Sequence, residues 1–161
     1  MKHKLKNCFG DDCGSLKQAG FTLIEILVVI GIIAILAAVV IIAINPARQF
    51  AQARDTQRSS NVNAILNGVW QRMVDNRGVW TTGGSCTATL PSVATNIGSG
   101  AGNINLDPCL VPTYLPAMVS DPEATSPAAN TGYTIFQVGA GTGRITVTAP
   151  LAELASISVT R

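Results

Sequence analysis

Between Phe21 and Ile44 the sequence places 21 apolar residues in 24 positions, and from Ile26 to Ile44 it holds no charged or strongly polar side chain. As a helix rising 1.5 Å per residue, the run spans about 36 Å, more than the ~30 Å hydrocarbon core of a bilayer. The apolar region of a secretory signal peptide is shorter, roughly 7–15 residues, and leads into a small-residue cleavage site. The run therefore reads as a single membrane-crossing helix, closed by Asn45-Pro46. The other 137 of the 161 residues carry 55 apolar side chains, enough for one small globular domain.

Composition removes several functions. Eleven Lys and Arg against nine Asp and Glu leave a net charge of +2, too little for a polyanion binder. The single histidine, His3, precedes the apolar run, so histidine-based nucleophilic catalysis and histidine metal ligation are ruled out downstream of it. Gly98-Ser99-Gly100-Ala101-Gly102 fails as a dinucleotide fingerprint at Asn103, and no Walker A, H-E-x-x-H or G-x-S-x-G occurs. Asp107, Asp121, Glu123 and Glu153 are scattered and nominate no acid–base pair. The chain reads as a non-enzyme.

Lys2, Lys4, Lys6 and Lys17 precede the run, and Arg48, Arg54 and Arg58 follow it, so the positive-inside bias is slight. Cys86 and Cys109 fit an oxidising compartment, which places the amino terminus in the cytoplasm and the rest outside it. Glu25 is the one carboxylate in the run. A charge at the membrane centre costs roughly 2.5–3.5 kcal/mol on insertion scales, and less near the interface. Either Glu25 sits at headgroup depth, or it needs a cationic partner. Cleavage between Gly20 and Phe21 would create that cation, an ammonium on Phe21 one helical turn away, in the same chain or in a neighbouring subunit.

Gly20-Phe21-Thr22-Leu23-Ile24-Glu25 ahead of an apolar run resembles the processing signature of type IV pilins and type II secretion pseudopilins. In that family a basic leader ends in Gly, Phe follows, and Glu is fifth in the processed chain. The resemblance covers residue 17 to about residue 50. It implies cleavage after Gly20 by a prepilin peptidase and N-methylation of Phe21. It also implies contact between Glu25 and a neighbour's amino terminus during assembly. The implied partners are membrane lipid before assembly, an inner-membrane assembly platform and further copies of the chain in a helical filament. No cofactor, metal or specific nucleic acid is expected. Cys8 and Cys13 would be discarded with the leader.

Val62, Leu66, Val69 and Met73, widened by Ile65 and Trp70, recur at helical spacing. The pattern predicts one long helix from Phe21 to Asn76, kinked at Pro46 and stopped at Gly78. Arg48, Arg54 and Arg58, with Asp55 among them, read as a solvated face or subunit contact rather than a lipid or DNA site. Residues 78–131 show no periodicity, and a loop that long must be held by something. Cys86 and Cys109, the cysteines left after processing, are the expected disulfide; free thiols or a two-cysteine metal half-site are the alternatives. Some major pseudopilins bind calcium in strand-proximal loops, which makes Asp121 and Glu123 the candidates here. Calcium needs six to eight oxygens and they have little acidic company, so a solvated loop is expected. Residues 132–138, 144–149 and 156–160 alternate as strands, with Gly139–Gly143 turning the first into the second. Trp70 is expected in the core, and Trp80 reads equally as core or surface.

The expected architecture is α+β, a long amino-terminal helical spine packed on a small antiparallel sheet. Its parts are a cleaved leader (1–20), a transmembrane and filament-core helix (21–44) and its amphipathic continuation (45–77). A disulfide-stapled variable loop (78–131) and a β-meander (132–161) follow. The leading functional expectation is the structural subunit of a type IV pilus-like surface filament. The rivals are a major pseudopilin of a type II secretion system and a minor pilin acting as adhesin or DNA-uptake tip. From Gly78 onward the cations are Arg144 and Arg161, which disfavours tight DNA binding by the head. An unprocessed single-pass anchor would leave the cost of Glu25 unexplained.

Overall fold

The computed structural model describes residues 20–139 and 143–161. Residues 1–19, with His3, Cys8, Cys13 and the four lysines of the leader, and Ala140, Gly141 and Thr142, on which the expected turn falls, lie outside the described residues. The chain divides into two units, Met1–Ile44 and Asn45–Arg161, and the second is called the head below.

In the first unit, α1 runs from Leu23 to Ile44. Its 22 residues rise about 33 Å, and it is long and apolar enough to cross a membrane. Thr22 caps it: the Glu25 backbone N–H donates to Thr22 Oγ1 at 3.2 Å. None of its side chains is buried. A helix apolar on every side is suited to lipid or to other helices, not to an aqueous face.

The head begins with α2, Pro46–Asp75. The pattern predicts one kinked helix here; the structure has two, because Asn45 adopts a left-handed conformation (φ 47°) and ends the helical ladder. Asn45 then caps α2, its side chain accepting from the Arg48 N–H. Pro46 takes the first helical position, where a missing N–H costs nothing. Val62, Ile65, Leu66, Val69 and Met73 are all buried, so the predicted stripe is the inner face of α2. The helix ends at Arg77 (φ 62°) and Gly78 (φ 82°), whose N–H returns to the Met73 carbonyl at 2.8 Å.

Four strands form one antiparallel sheet in chain order: β1 (Thr95–Asn96), β2 (Thr134–Gln137), β3 (Ile145–Ala149) and β4 (Ile157–Thr160). Strands β2 to β4 fall in the three segments that alternate. Ile135 pairs with Val147 and Val147 with Val159, which sets one apolar row facing α2. On the opposite face, threonines bond across the strands, Thr134 to Thr148 at 2.6 Å and Thr146 to Thr160 at 2.9 Å. That ladder buries Thr134 and Thr146, so this face is less open to solvent than simple alternation suggests.

Strand β1 and a short helix α3 (Asp107–Leu110) come from the stretch with no periodicity. That stretch also places Ile97, Ile104, Leu106, Leu110 and Leu115 in the core, beside the Cys86–Cys109 disulfide. It is a structural layer of the head, not a decoration on it. Trp80 is core, with its indole N–H donating to the Ala88 carbonyl at 2.8 Å and Arg72 lying 5.3 Å over its ring. Trp70 is partly buried against the same cluster.

Candidate functional site

Two arrangements carry chemistry, one in each unit. In the first, Gly20 and Phe21 lie exposed ahead of α1, and Glu25 stands in its opening turn. A carboxylate there is favoured by the partial positive charge of a helix amino terminus, which offsets part of its cost in an apolar setting.

The second arrangement is centred on Arg58. Its side chain is 0% exposed, as is that of Asp121, and all five of its N–H groups are used. Nε donates to Asp121 Oδ2 at 2.7 Å and Nη2 to Asp121 Oδ1 at 3.1 Å. Nη2 also reaches Glu123 Oε2 at 2.7 Å, while Nη1 reaches Asp55 Oδ1 at 2.9 Å and Glu153 Oε1 at 2.8 Å. Arg54 grips Glu153 with both Nε and Nη2. Asp55 in turn accepts the backbone N–H groups of Glu153 and Leu154, and Asp121 accepts that of Glu123. One arginine thus fastens α2 to the loop before β2 and to the β3–β4 connection. Next to it, Asn61 bonds the Ser120 carbonyl and the hydroxyl of the buried Tyr133.

This hub corrects two expectations. Arg58 is no part of a solvated face or a subunit contact, although Arg48 is exposed and Arg54 partly so. Of the two loop carboxylates, Asp121 is buried against the guanidinium, whereas Glu123 pairs with it from an exposed loop, with half of its side chain open to solvent. The sequence signal was available: Asp55 and Arg58 are three apart on one helix, and Arg58 stands one turn ahead of the apolar stripe at Val62. What sequence could not supply was the pairing with residues more than sixty positions away.

The charges of the hub hold one another ionised. The Arg54 and Arg58 guanidiniums pull the Glu153 carboxyl down to about 2, from an ordinary value of 4.5. The N–H groups of Leu154 and Glu153, with Arg58, lower that of Asp55. Hydrogen bonding to Asp121 raises Arg58, so it stays charged at any accessible pH. Because both carboxyl values are depressed on folding, the stabilisation is present above their unfolded values and is lost as pH falls through the folded ones. The melting temperature of the head is expected to be level from pH 7 to about 5 and to fall between about 4.5 and 2. Thermal melts at pH 7, 4 and 2.5 check this; a head equally stable at 7 and 2.5 would contradict it.

Residues 15–43 match the model of the prokaryotic N-terminal methylation motif, the signature of type IV pilins and pseudopilins. The amino-terminal segment therefore carries the type IV pilin and pseudopilin signature, and the motif points to a structural subunit rather than an enzyme. It implies prepilin peptidase processing, filament assembly and a membrane-anchored precursor. The match takes in Gly20, Phe21, Glu25 and almost all of α1, and none of the head. No curated protein and no solved structure matches the chain.

Proposed function

We propose that the chain is the structural subunit of a type IV pilus-like surface filament. The observation that carries the reading is the methylation motif laid over a helix that is apolar on every side and buries none of its side chains. The precursor spans the cytoplasmic membrane once with its amino terminus inside. A prepilin peptidase cuts between Gly20 and Phe21, and the new amine of Phe21 is methylated. The α1 helices of neighbouring copies then cover one another, and the α-amine of one copy neutralises Glu25 of the next. That exchange removes an unpaired carboxylate from lipid and makes assembly favourable. The heads form the outer surface. Asp121, one of the two carboxylates that a calcium site in this loop would need, is buried against Arg58, which favours the pilus over the short secretion filament.

Glu25→Ala is expected to insert in the membrane and be cleaved normally but to yield few filaments, because the charge that rewards assembly is gone. Membrane fractionation and the yield of sheared filaments read the two steps separately. Wild-type filament yield from the mutant would remove Glu25 from the mechanism.

A further inference from the structure

The charges of the head separate towards its two ends. At the β3–β4 connection, Asp55, Asp121, Glu123 and Glu153 outnumber Arg54 and Arg58. At the opposite end of the sheet, Ile145 pairs with Gln137 and exchanges backbone hydrogen bonds with Arg161. Arg144 and Arg161 are exposed there. The far end of α2 lies on that side too, since Arg161 bonds Asn67 while Asp55 bonds the β3–β4 connection. It brings Arg72, Arg77 and Asp75, and Arg72 reaches the carbonyl of Cys109, two residues beyond Asp107. Four carboxylates against two arginines thus stand at one end, and four arginines against two carboxylates at the other. Along α2 the two groups are about 25 Å apart. Arg48, in the first turn of α2 and six residues before Arg54, lies on the side of the acidic group and offsets part of its charge.

The dipole of α2 acts within its first and last turns, so it bears on Arg72 but not on Asp55, which stands in the third turn. It does not account for Glu123, Glu153, Arg144 and Arg161, which are off the helix. Among the described residues, Arg77 and Arg144 have no acidic partner within 4.0 Å, and Glu123 keeps half of its side chain exposed. A two-fold contact through either end would press like charges together. A contact between unlike ends satisfies both, and repeated without closure it generates an open helical array.

We propose that the heads of successive copies meet unlike end to unlike end, the Glu123–Glu153 end of one on the Arg144–Arg77 end of the next. The inference rests on the filament reading and adds the contact that sets how the heads stack. Surface charges are screened beyond roughly 8 Å at physiological ionic strength, so the ends must be in near contact, and high salt loosens them.

Paired cysteines test the geometry. In the processed chain the two native cysteines are joined to each other, so introduced thiols are the reactive ones. Glu123→Cys/Arg144→Cys is made in the full chain, together with Thr125→Cys/Arg144→Cys, which leaves every ion pair of the hub intact. Oxidation of sheared filaments is expected to give a ladder of covalent multimers from the double variants and monomers from each single variant. Filaments without a ladder in either double variant overturn the proposal, as do dimers from a single variant, which would mean that like ends meet. Absence of filaments from the parent chain, by contrast, defeats the filament reading itself and the stacking with it.

Discussion

Replacing Arg58 by methionine is expected to destabilise the head by about 3–5 kcal/mol, the range found when one partner of a buried ion pair is removed. The loss is large because Asp121 stays behind, fully buried, with its guanidinium partner gone and its loop no longer tied to α2. Glu123, Asp55 and Glu153 lose a shared donor at the same time. Removing both charges, as Arg58→Met/Asp121→Leu, is expected to recover most of the loss, because a matched apolar pair replaces a buried ion pair at little cost. Arg58→Lys keeps the charge but not the fork, and is expected to fall between wild type and methionine. Both tryptophans lie in the head, so denaturant unfolding followed by their fluorescence reads this unit alone. A loss below about 1 kcal/mol in Arg58→Met would place the pair among exposed ion pairs of small worth.

The second large effect is expected at the disulfide. Cys86 and Cys109 are 23 residues apart and both buried, and the loop they close carries β1, Ile97, Ile104 and Leu106. Opening a loop of that size costs about 3 kcal/mol through the entropy of the unfolded chain. Cys86→Ser adds the cost of a buried hydroxyl. The variant is expected to melt well below wild type and to be cut by protease within residues 79–131, ahead of the rest of the head. Limited proteolysis under non-reducing conditions, with the cut sites mapped by mass, decides it. Equal resistance of mutant and wild type would mean that the hydrophobic contacts of Ile97, Leu106 and Leu110 hold the layer unaided.

The sequence was most legible where one physical demand dominates. The apolar run from Phe21 to Ile44 has no polar face to hide, so length and composition settled α1. The spacing of Val62, Leu66, Val69 and Met73 settled the inner face of α2, and period-two alternation located β2, β3 and β4. Asn45 was less legible. A proline in a helical pattern signals a disturbance, but the left-handed residue before it turned a kink into a fresh start. Residues 78–131 were least legible, because their order comes from contacts with residues distant in the chain. A two-residue strand leaves no periodicity, and Ile97 at the core has Gly98 beside it rather than an alternating partner. Arg58 was misread for the same reason. Its local neighbours are polar and typical of a solvated helix, whereas its burial is decided by Asp121, Glu123 and Glu153, all from the other half of the head.

Of the two candidate arrangements, only the amino-terminal one was readable as function. The processing motif is a linear code, read by an enzyme from an exposed segment, and therefore survives as a sequence pattern. The hub is a three-dimensional clasp. It keeps the β3–β4 connection and the loop before β2 fixed on α2.

The most direct measurement is the intact mass of material sheared from the surface of cells that express this chain together with a prepilin peptidase. The account predicts a dominant species that begins at Phe21, heavier by one methyl group and lighter by two hydrogens for the Cys86–Cys109 bond. Full-length chain still bearing residues 1–20 would contradict it, as would processed chain confined to the membrane fraction with none in the sheared material.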